Sequence, residues 1–233
     1  MKQSICVVVG VGPGNGAAFA HRFAKEGYKI ALLARHTELT SSLAQELAQA
    51  RAYECDVTDE TSVKKACEQI RKELGEIDVV IYNAGSGTWG NVEEITLEAF
   101  ETSWRVNALG LFNFTKEVIP HMKEKGNGSI IIVGATASRR GTVKSAAFSS
   151  AKAAQRNLAE SMAKYLWPQG IHVALIIIDG IVDLPKTREQ MPDKSNDFFV
   201  NPDDVANTAS WLVQQPRSTW SFEVEARPFM ENW

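Results

Sequence analysis

Cysteine is scarce. The three present, Cys6, Cys55 and Cys67, are too few and too scattered for a disulfide framework, and Cys6 and Cys55 lie in apolar strand-like runs, so the reducing interior of a cell is the expected setting. Long apolar runs are missing as well: none reaches the roughly 18 to 20 residues that a bilayer-crossing helix needs, so no membrane partner is expected. Nor is there an excess of basic charge. Against 28 Asp and Glu stand 25 Lys and Arg, a formal net charge of -3, which gives no support to nucleic-acid binding or a polybasic membrane anchor. His21, His121 and His172 fall on expected helices or a strand, without the cluster of ligands a metal needs, so no metal site is expected. The apolar start, Ile5 to Val9, resembles a short signal peptide until Gly10, Gly12, Pro13, Gly14, Asn15 and Gly16 break it as a strand meeting a turn. Met1 is accordingly expected to begin the folded protein, and the location to be cytoplasmic.

What is present is a regular alternation. The 233 residues, 44% of them hydrophobic, suffice for one sizeable core and are few for two, so residues 1–233 are expected to form a single domain. Strands are expected at Ile5 to Val9, Lys29 to Ala34, Tyr53 to Val57, Ile77 to Tyr82, Ser129 to Gly134, Ile171 to Ile178 and Trp220 to Glu225. Between them come helical patterns at 16 to 26, Thr37 to Ala50, 59 to 74, Leu97 to Met122 (two helices or a bent one), 145 to 166 and 202 to 214. Strands apolar on both faces and separated by helices mean a parallel sheet covered on each side, a doubly wound α/β fold. Ligands of such folds sit outside the carboxyl ends of the strands, here the loops at 10–16, 34–37, 55–58, 83–91, 134–144 and 179–201.

The first of these loops, Gly10-Val11-Gly12-Pro13-Gly14-Asn15-Gly16, joins a strand to a helix. Its glycines let the backbone turn sharply and approach a pyrophosphate resting on the positive end of the helix. No Gly-Lys-Ser/Thr closes it, so it is not a nucleoside-triphosphate loop. At the end of the second strand, where an NAD site usually carries an acid for the adenosine ribose, the chain has Arg35 followed by His36. A guanidinium makes forked bonds to phosphate and matches the 2'-phosphate of NADP, so NADP(H) is the expected cofactor, with NAD(H) the lesser alternative. Asp56, with Val57, is placed to accept from the adenine amino group, and Asn83, Ala84 and Gly85 leave room for the middle of the cofactor. Asp56 and Asn83 read equally as local turn caps.

In order and spacing, Gly10-xxx-Gly14-x-Gly16, Asp56-Val57, Asn83-Ala84-Gly85, Asn107-Ala108-Leu109-Gly110 and Lys152 within Ser149-Ser150-Ala151-Lys152-Ala153-Ala154 make the chain resemble the short-chain dehydrogenase/reductase family over essentially its whole length. The resemblance implies a Rossmann-type three-layer fold with a parallel seven-stranded sheet, a bound nicotinamide dinucleotide, a small-molecule substrate, and a homodimer or homotetramer. It also implies a catalytic group: a tyrosine as proton donor or acceptor, a lysine that lowers its pKa and holds the nicotinamide ribose, a serine that orients the substrate oxygen, and an asparagine that supports a water relay to the lysine. Lys152 and Asn107 match. The tyrosine position holds Phe148 and the serine position Ala135, so both hydroxyls are gone. Positioned proton transfer is worth roughly 100- to 10,000-fold in rate, and phenylalanine supplies none. Thr136, next to Ala135, is a candidate substitute for the serine or a plain strand-end residue. After the sixth strand Gly180 and Val182 match the family, while Asp179 departs from it as either a turn cap or an acidic wall.

Residues 183–201 read as a polar substrate lid with Phe198 and Phe199 near its end, or as a surface loop. Arg139 and Arg140 either attract an acidic substrate or are a solvated pair. The aromatic carboxyl end, Trp220 to Trp233, suits subunit contact or packing on its own domain. A seam between copies is expected from Ala153, Ala154, Leu158 and Met162 on the long helix, pairing beside the helix around 104 to 122. Three functions follow: a weak or specialised NADP(H)-dependent oxidoreductase on an unusual carbonyl, alcohol or enoyl substrate, apolar or acidic; a non-catalytic NADP(H)-binding sensor or interaction protein; and a scaffold that has lost the cofactor.

Overall fold

In the computed structural model, which describes residues 3–230, the apolar runs form a parallel sheet. Met1 and Trp233, on which two of the expectations bear, lie outside the described residues. In chain order the elements are β1 (Ile5–Val9), α1 (Asn15–Lys25), β2 (Lys29–Ala34), α2 (Glu38–Glu46), β3 (Ala50–Glu54), α3 (Glu60–Glu73), β4 (Val79–Tyr82), α4 (Leu97–Trp104), α5 (Gly110–Lys125), β5 (Gly128–Ala135), α6 (Ala146–Leu166), β6 (Ile171–Ile178), β7 (Ile181–Val182), α7 (Pro185–Gln190), β8 (Phe199–Val200), α8 (Pro202–Gln214) and β9 (Glu223–Ala226). Among the described residues seven strands pair in the order β3-β2-β1-β4-β5-β6-β9, every pair parallel. This is the doubly wound α/β fold.

Each strand is sorted between two cores by its period of two. Ile5, Val7 and Val9 face one core, with Val63 and Ile70 of α3, Phe114 and Met122 of α5 and Met162 and Leu166 of α6. Cys6 and Val8 face the other, with Phe19 and Phe23 of α1, Leu43 of α2 and Val205 and Leu212 of α8. Because β1 lies between β2 and β4, the chain leaves it in one direction and later returns on the other side. The loops after β1 and β4 therefore open side by side where the strand order reverses, which is the usual ligand crevice of such sheets.

Local chemistry sets the helix starts. Asp59 accepts from Thr61 N ahead of α3, Thr96 Oγ1 from Ala99 N ahead of α4, and Asn201 from Asp203 N ahead of α8, whose first turn carries Pro202. Several boundaries differ from the sequence expectation. The second helix stops at Glu46 and the third strand runs Ala50–Glu54 instead of Tyr53 to Val57, because pairing with β2 begins at Ile30 opposite Ala50. This is an edge strand whose Arg51 and Glu54 are exposed, so its apolar signal is weak. The last strand is Glu223–Ala226, since Trp220 and Ser221 instead bond to Gln215. The stretch Leu97 to Met122 is divided by a wide π-helical turn, Arg105–Leu109, closed by Gly110 N donating to Arg105 O. The lid segment is partly ordered secondary structure: α7 sits inside it, and Ile181 and Val182 pair with Phe199 and Val200. No helix among the described residues is long and apolar enough to cross a membrane.

Candidate active site

A cleft of about 690 Å³ lies along the carboxyl ends of β1, β2 and β4. Gly10, Gly12, Gly14, Asn15 and Gly16 line it, together with Arg35, His36, Asp56, Val57, Asn83, Ala84, Gly85 and Val182. Its glycines do different work. Gly10 sits at φ +86°, and a Cβ there would stand 2.4 Å from Ala84 Cα. At Gly16 a Cβ would meet Val11 Cα at 2.7 Å, so this glycine lets the helix start pack onto the loop. Gly12 is different: a Cβ there would meet nothing within 4 Å, so its missing side chain leaves open space. Such space, beside the start of α1, is the cradle a pyrophosphate needs. Asn15 Oδ1 is buried in the same loop without a hydrogen-bond partner. Asn83 locks the two loops together, its Nδ2 donating to Gly10 O at 2.7 Å. Asp56 Oδ1 accepts from Thr58 N and Oγ1 at 2.9 and 2.8 Å, an Asx turn that also fixes its place on the cleft wall. Arg35 and His36 stand exposed just past β2.

At the far end of the crevice α6 and the wide turn bring Lys152 and Asn107 together. Both are buried. Lys152 Nζ donates to Val133 O at 2.9 Å and to Gln155 Oε1 at 3.0 Å, and burial pushes its pKa down to about 7. Asn107 Nδ2 donates to Ser103 O and Ser86 O at 2.8 and 3.0 Å, which leaves its buried Oδ1 without a partner. A Cβ on Gly85 would lie 3.4 Å from that oxygen and 3.7 Å from Lys152 Nζ, so this residue of the cleft wall stands directly against the pair. Phe148, one turn before Lys152, is half-buried, and its ring packs on Trp89 with centroids 5.2 Å apart. Ala135 is the last residue of β5. The phenol of Tyr82, under the crevice, is buried and donates to Val106 O at 2.9 Å, and burial holds its pKa well above the ordinary value. Tyr165 is on the surface, bonded to Lys123.

Thr136 and Asp179 are bound to each other: the Thr136 hydroxyl donates to the buried carboxylate. Asp179 also pairs with Arg227 and, at 3.3 Å, with Arg140. It is thus neither a turn cap nor a bare acidic wall; it ties β6 to the chain beyond β9. Arg139 is likewise taken up by Glu223 and Glu225 of β9, where Arg156 meets the same Glu223. Gly180 leaves passage for Pro228, whose Cδ would stand 2.7 Å from a Cβ there. On the helical face expected to form a seam, Met162 is buried in the core and Leu158 packs against it. The exposed apolar side chains nearby are Leu97, Phe100 and Trp104 of α4 and Phe112 of α5.

The profile of the family described as short chain dehydrogenase matches residues 4–195. The chain belongs to the short-chain dehydrogenase family. An uncharacterized oxidoreductase of Staphylococcus saprophyticus is 28% identical over 233 residues, covering 98% of each chain. A short-chain dehydrogenase from Rhodopseudomonas palustris has a solved structure that superposes with a TM-score of 0.84 at 32% identity, covering 97% of this chain and 99% of that one. An alcohol dehydrogenase from the archaeon Thermococcus sibiricus, solved with 5-hydroxy-NADP, gives 0.88 at 24% identity, covering 99% and 98%.

Three residues around the site were not singled out from the sequence. Gln155 joins Lys152 to the wide turn, its Nε2 donating to Asn107 O at 3.0 Å. Trp89 forms a wall with Phe148, and Leu184 closes over the glycine loop, its Cδ2 only 2.3 Å from where a Cβ of Gly14 would be. For Gln155 the available signal was a polar side chain three residues after Lys152 on a helix face that is otherwise apolar.

Proposed function

We propose that the chain is an NADP(H)-dependent oxidoreductase in which Phe148 and Ala135 stand where the family carries its catalytic tyrosine and serine. The observation that carries this reading is the cleft running from Arg35 through the glycine loop to Gly85, with the buried Lys152 and Asn107 directly behind that glycine. Its residues fit a dinucleotide: the space at Gly12 for a pyrophosphate, the unpartnered Asn15 and Asn107 oxygens for ligand hydroxyls or amides, and Arg35 for a 2'-phosphate. The same fold carries 5-hydroxy-NADP in the Thermococcus sibiricus alcohol dehydrogenase. When bound, the nicotinamide supplies hydride chemistry. Lys152 would then hold the ribose, Asn107 keeps the wide turn in place, and Phe148 packed on Trp89 presents an apolar surface that favours an apolar substrate.

With no phenol at Phe148, no hydroxyl at Ala135 and the Thr136 hydroxyl donating to Asp179, none of these three positions offers a hydroxyl to a substrate oxygen. Enoyl or other substrates that ask little of a protein proton donor suit it best. The aromatic ring facing Lys152 also favours a second reading, a non-catalytic NADP(H)-binding sensor. Incubation with NADPH deuterated at nicotinamide C4 and a panel of apolar enones, aldehydes, ketones and quinones separates the two. The oxidoreductase transfers one deuterium to a product, slowly. Bound NADPH with no reduced product from any member of the panel identifies the sensor.

A further inference from the structure

One side chain, Gln155, spans Lys152 and Asn107. Gln155 is fully buried. Its Oε1 accepts from Lys152 Nζ at 3.0 Å and its Nε2 donates to the main-chain oxygen of Asn107 at 3.0 Å. That oxygen belongs to the π-helical turn, where the widened hydrogen-bond pattern gives the backbone room to take a side-chain donor. The result is a closed series: Val133 O, Lys152 Nζ, the Gln155 amide, Asn107 O.

We infer that Gln155 is a positioning residue that fixes the aim and the protonation of Lys152, tying it to the Asn107 backbone through a side-chain amide. The inference rests on the reading of Lys152 as a working member of the site. In its charged form, held below a pH of about 7, the Lys152 amine has three N–H groups. Two are committed, to Val133 O and Gln155 Oε1, which leaves the third for the corner beside Gly85 and the unpartnered Asn107 Oδ1. An amide differs from a water in one decisive respect. It accepts at oxygen and donates at nitrogen, so a proton crosses it only through an imidic acid, whereas a water accepts and donates at one atom. Lys152 is therefore a fixed donor to a ligand and is cut off from proton exchange along the turn.

The test needs no cofactor, so its failure is distinct from a failure of the oxidoreductase reading. Lys152 is titrated by carbon NMR in protein labelled at the lysine side chains, with Lys152→Arg to assign its signal. Gln155→Met keeps the length of the side chain and removes its acceptor, and is expected to lower the midpoint of Lys152 by at least one pH unit, a tenfold change in proton affinity. Gln155→Glu places a carboxylate beside the amine and raises the midpoint by a similar amount or more. A merely structural role would change thermal stability and leave the midpoint unmoved, and equal midpoints in all three proteins would overturn the inference. Should Gln155→Met fail to fold, the wild type decides. The Gln155 side-chain amide protons are expected to exchange with solvent at least a hundredfold more slowly than those of exposed Gln45; matching rates would equally overturn it.

Discussion

Lys152 Nζ stands 6.0 Å from the centre of the Phe148 ring, one helical turn away on α6. A cation over an aromatic face is attracted by the ring quadrupole, but the ring offers it no proton to share. Replacing Phe148 with tyrosine puts a phenol beside Lys152, which lowers the phenol's pKa whenever the amine is charged. Ala135 still leaves the substrate oxygen without a second donor. Phe148→Tyr alone is therefore expected to raise NADPH-dependent reduction of ketones modestly. With Ala135→Ser added, the gain should exceed the sum of the single effects in free energy, because residues of one catalytic unit are not additive. Steady-state kinetics of the four proteins, with cofactor binding measured separately, checks this. A wild type already fast with ketones, and slowed by the tyrosine, would place the chemistry on another group.

Burial of Lys152 gives the fold a pH dependence of definite sign. Its folded pKa of about 7 lies below the ordinary 10.5, so between those values the unfolded chain holds a proton that the folded chain does not. Stability contributed by this residue accordingly rises with pH across that window, by up to about 1.4 kcal/mol per pH unit. Lys152→Met should lose this slope. Urea unfolding of both proteins at pH 7.5 and 9 reads the difference; parallel profiles would show that Lys152 keeps its charge on folding.

Gly10 and Gly12, two residues apart, are expected to fail in opposite ways. Gly10→Ala forces a left-handed backbone on alanine and drives its Cβ to 2.4 Å from Ala84 Cα, at a cost of about 2 to 5 kcal/mol of stability. Gly12→Ala meets open space within the protein and should leave stability within about 1 kcal/mol. The same methyl group fills the proposed phosphate cradle, so NADPH affinity should fall at least tenfold. Thermal unfolding and binding titration of the two variants supply the comparison.

The cleft was largely legible from the sequence because its parts are backbone features written in glycine: Gly10 needs its positive φ and Gly16 its close approach to Val11. The strands were legible where both faces are buried, as in β6, and not at the edge, where β3 alternates with exposed Arg51 and Glu54. Long-range side-chain pairing was the least visible. Asp179 read as a turn cap or an acidic wall because its partner Arg227 lies 48 residues further along the chain, and Arg139 is likewise paired at a distance, with Glu223. Gln155 gave only the weak signal of a polar residue on an apolar helix face, because its partner, Asn107 O, lies 48 residues earlier in the chain.

Arg35, exposed at the mouth of the cleft, is the residue on which the cofactor assignment turns. NADPH and NADH titrated against the wild type and Arg35→Ala test it directly. A charge-assisted fork to the 2'-phosphate is worth about 1.5 to 3 kcal/mol, so the wild type should bind NADPH at least tenfold more tightly than NADH. Arg35→Ala should lose that preference and keep its affinity for NADH. Equal NADPH affinity in the two proteins would contradict the assignment.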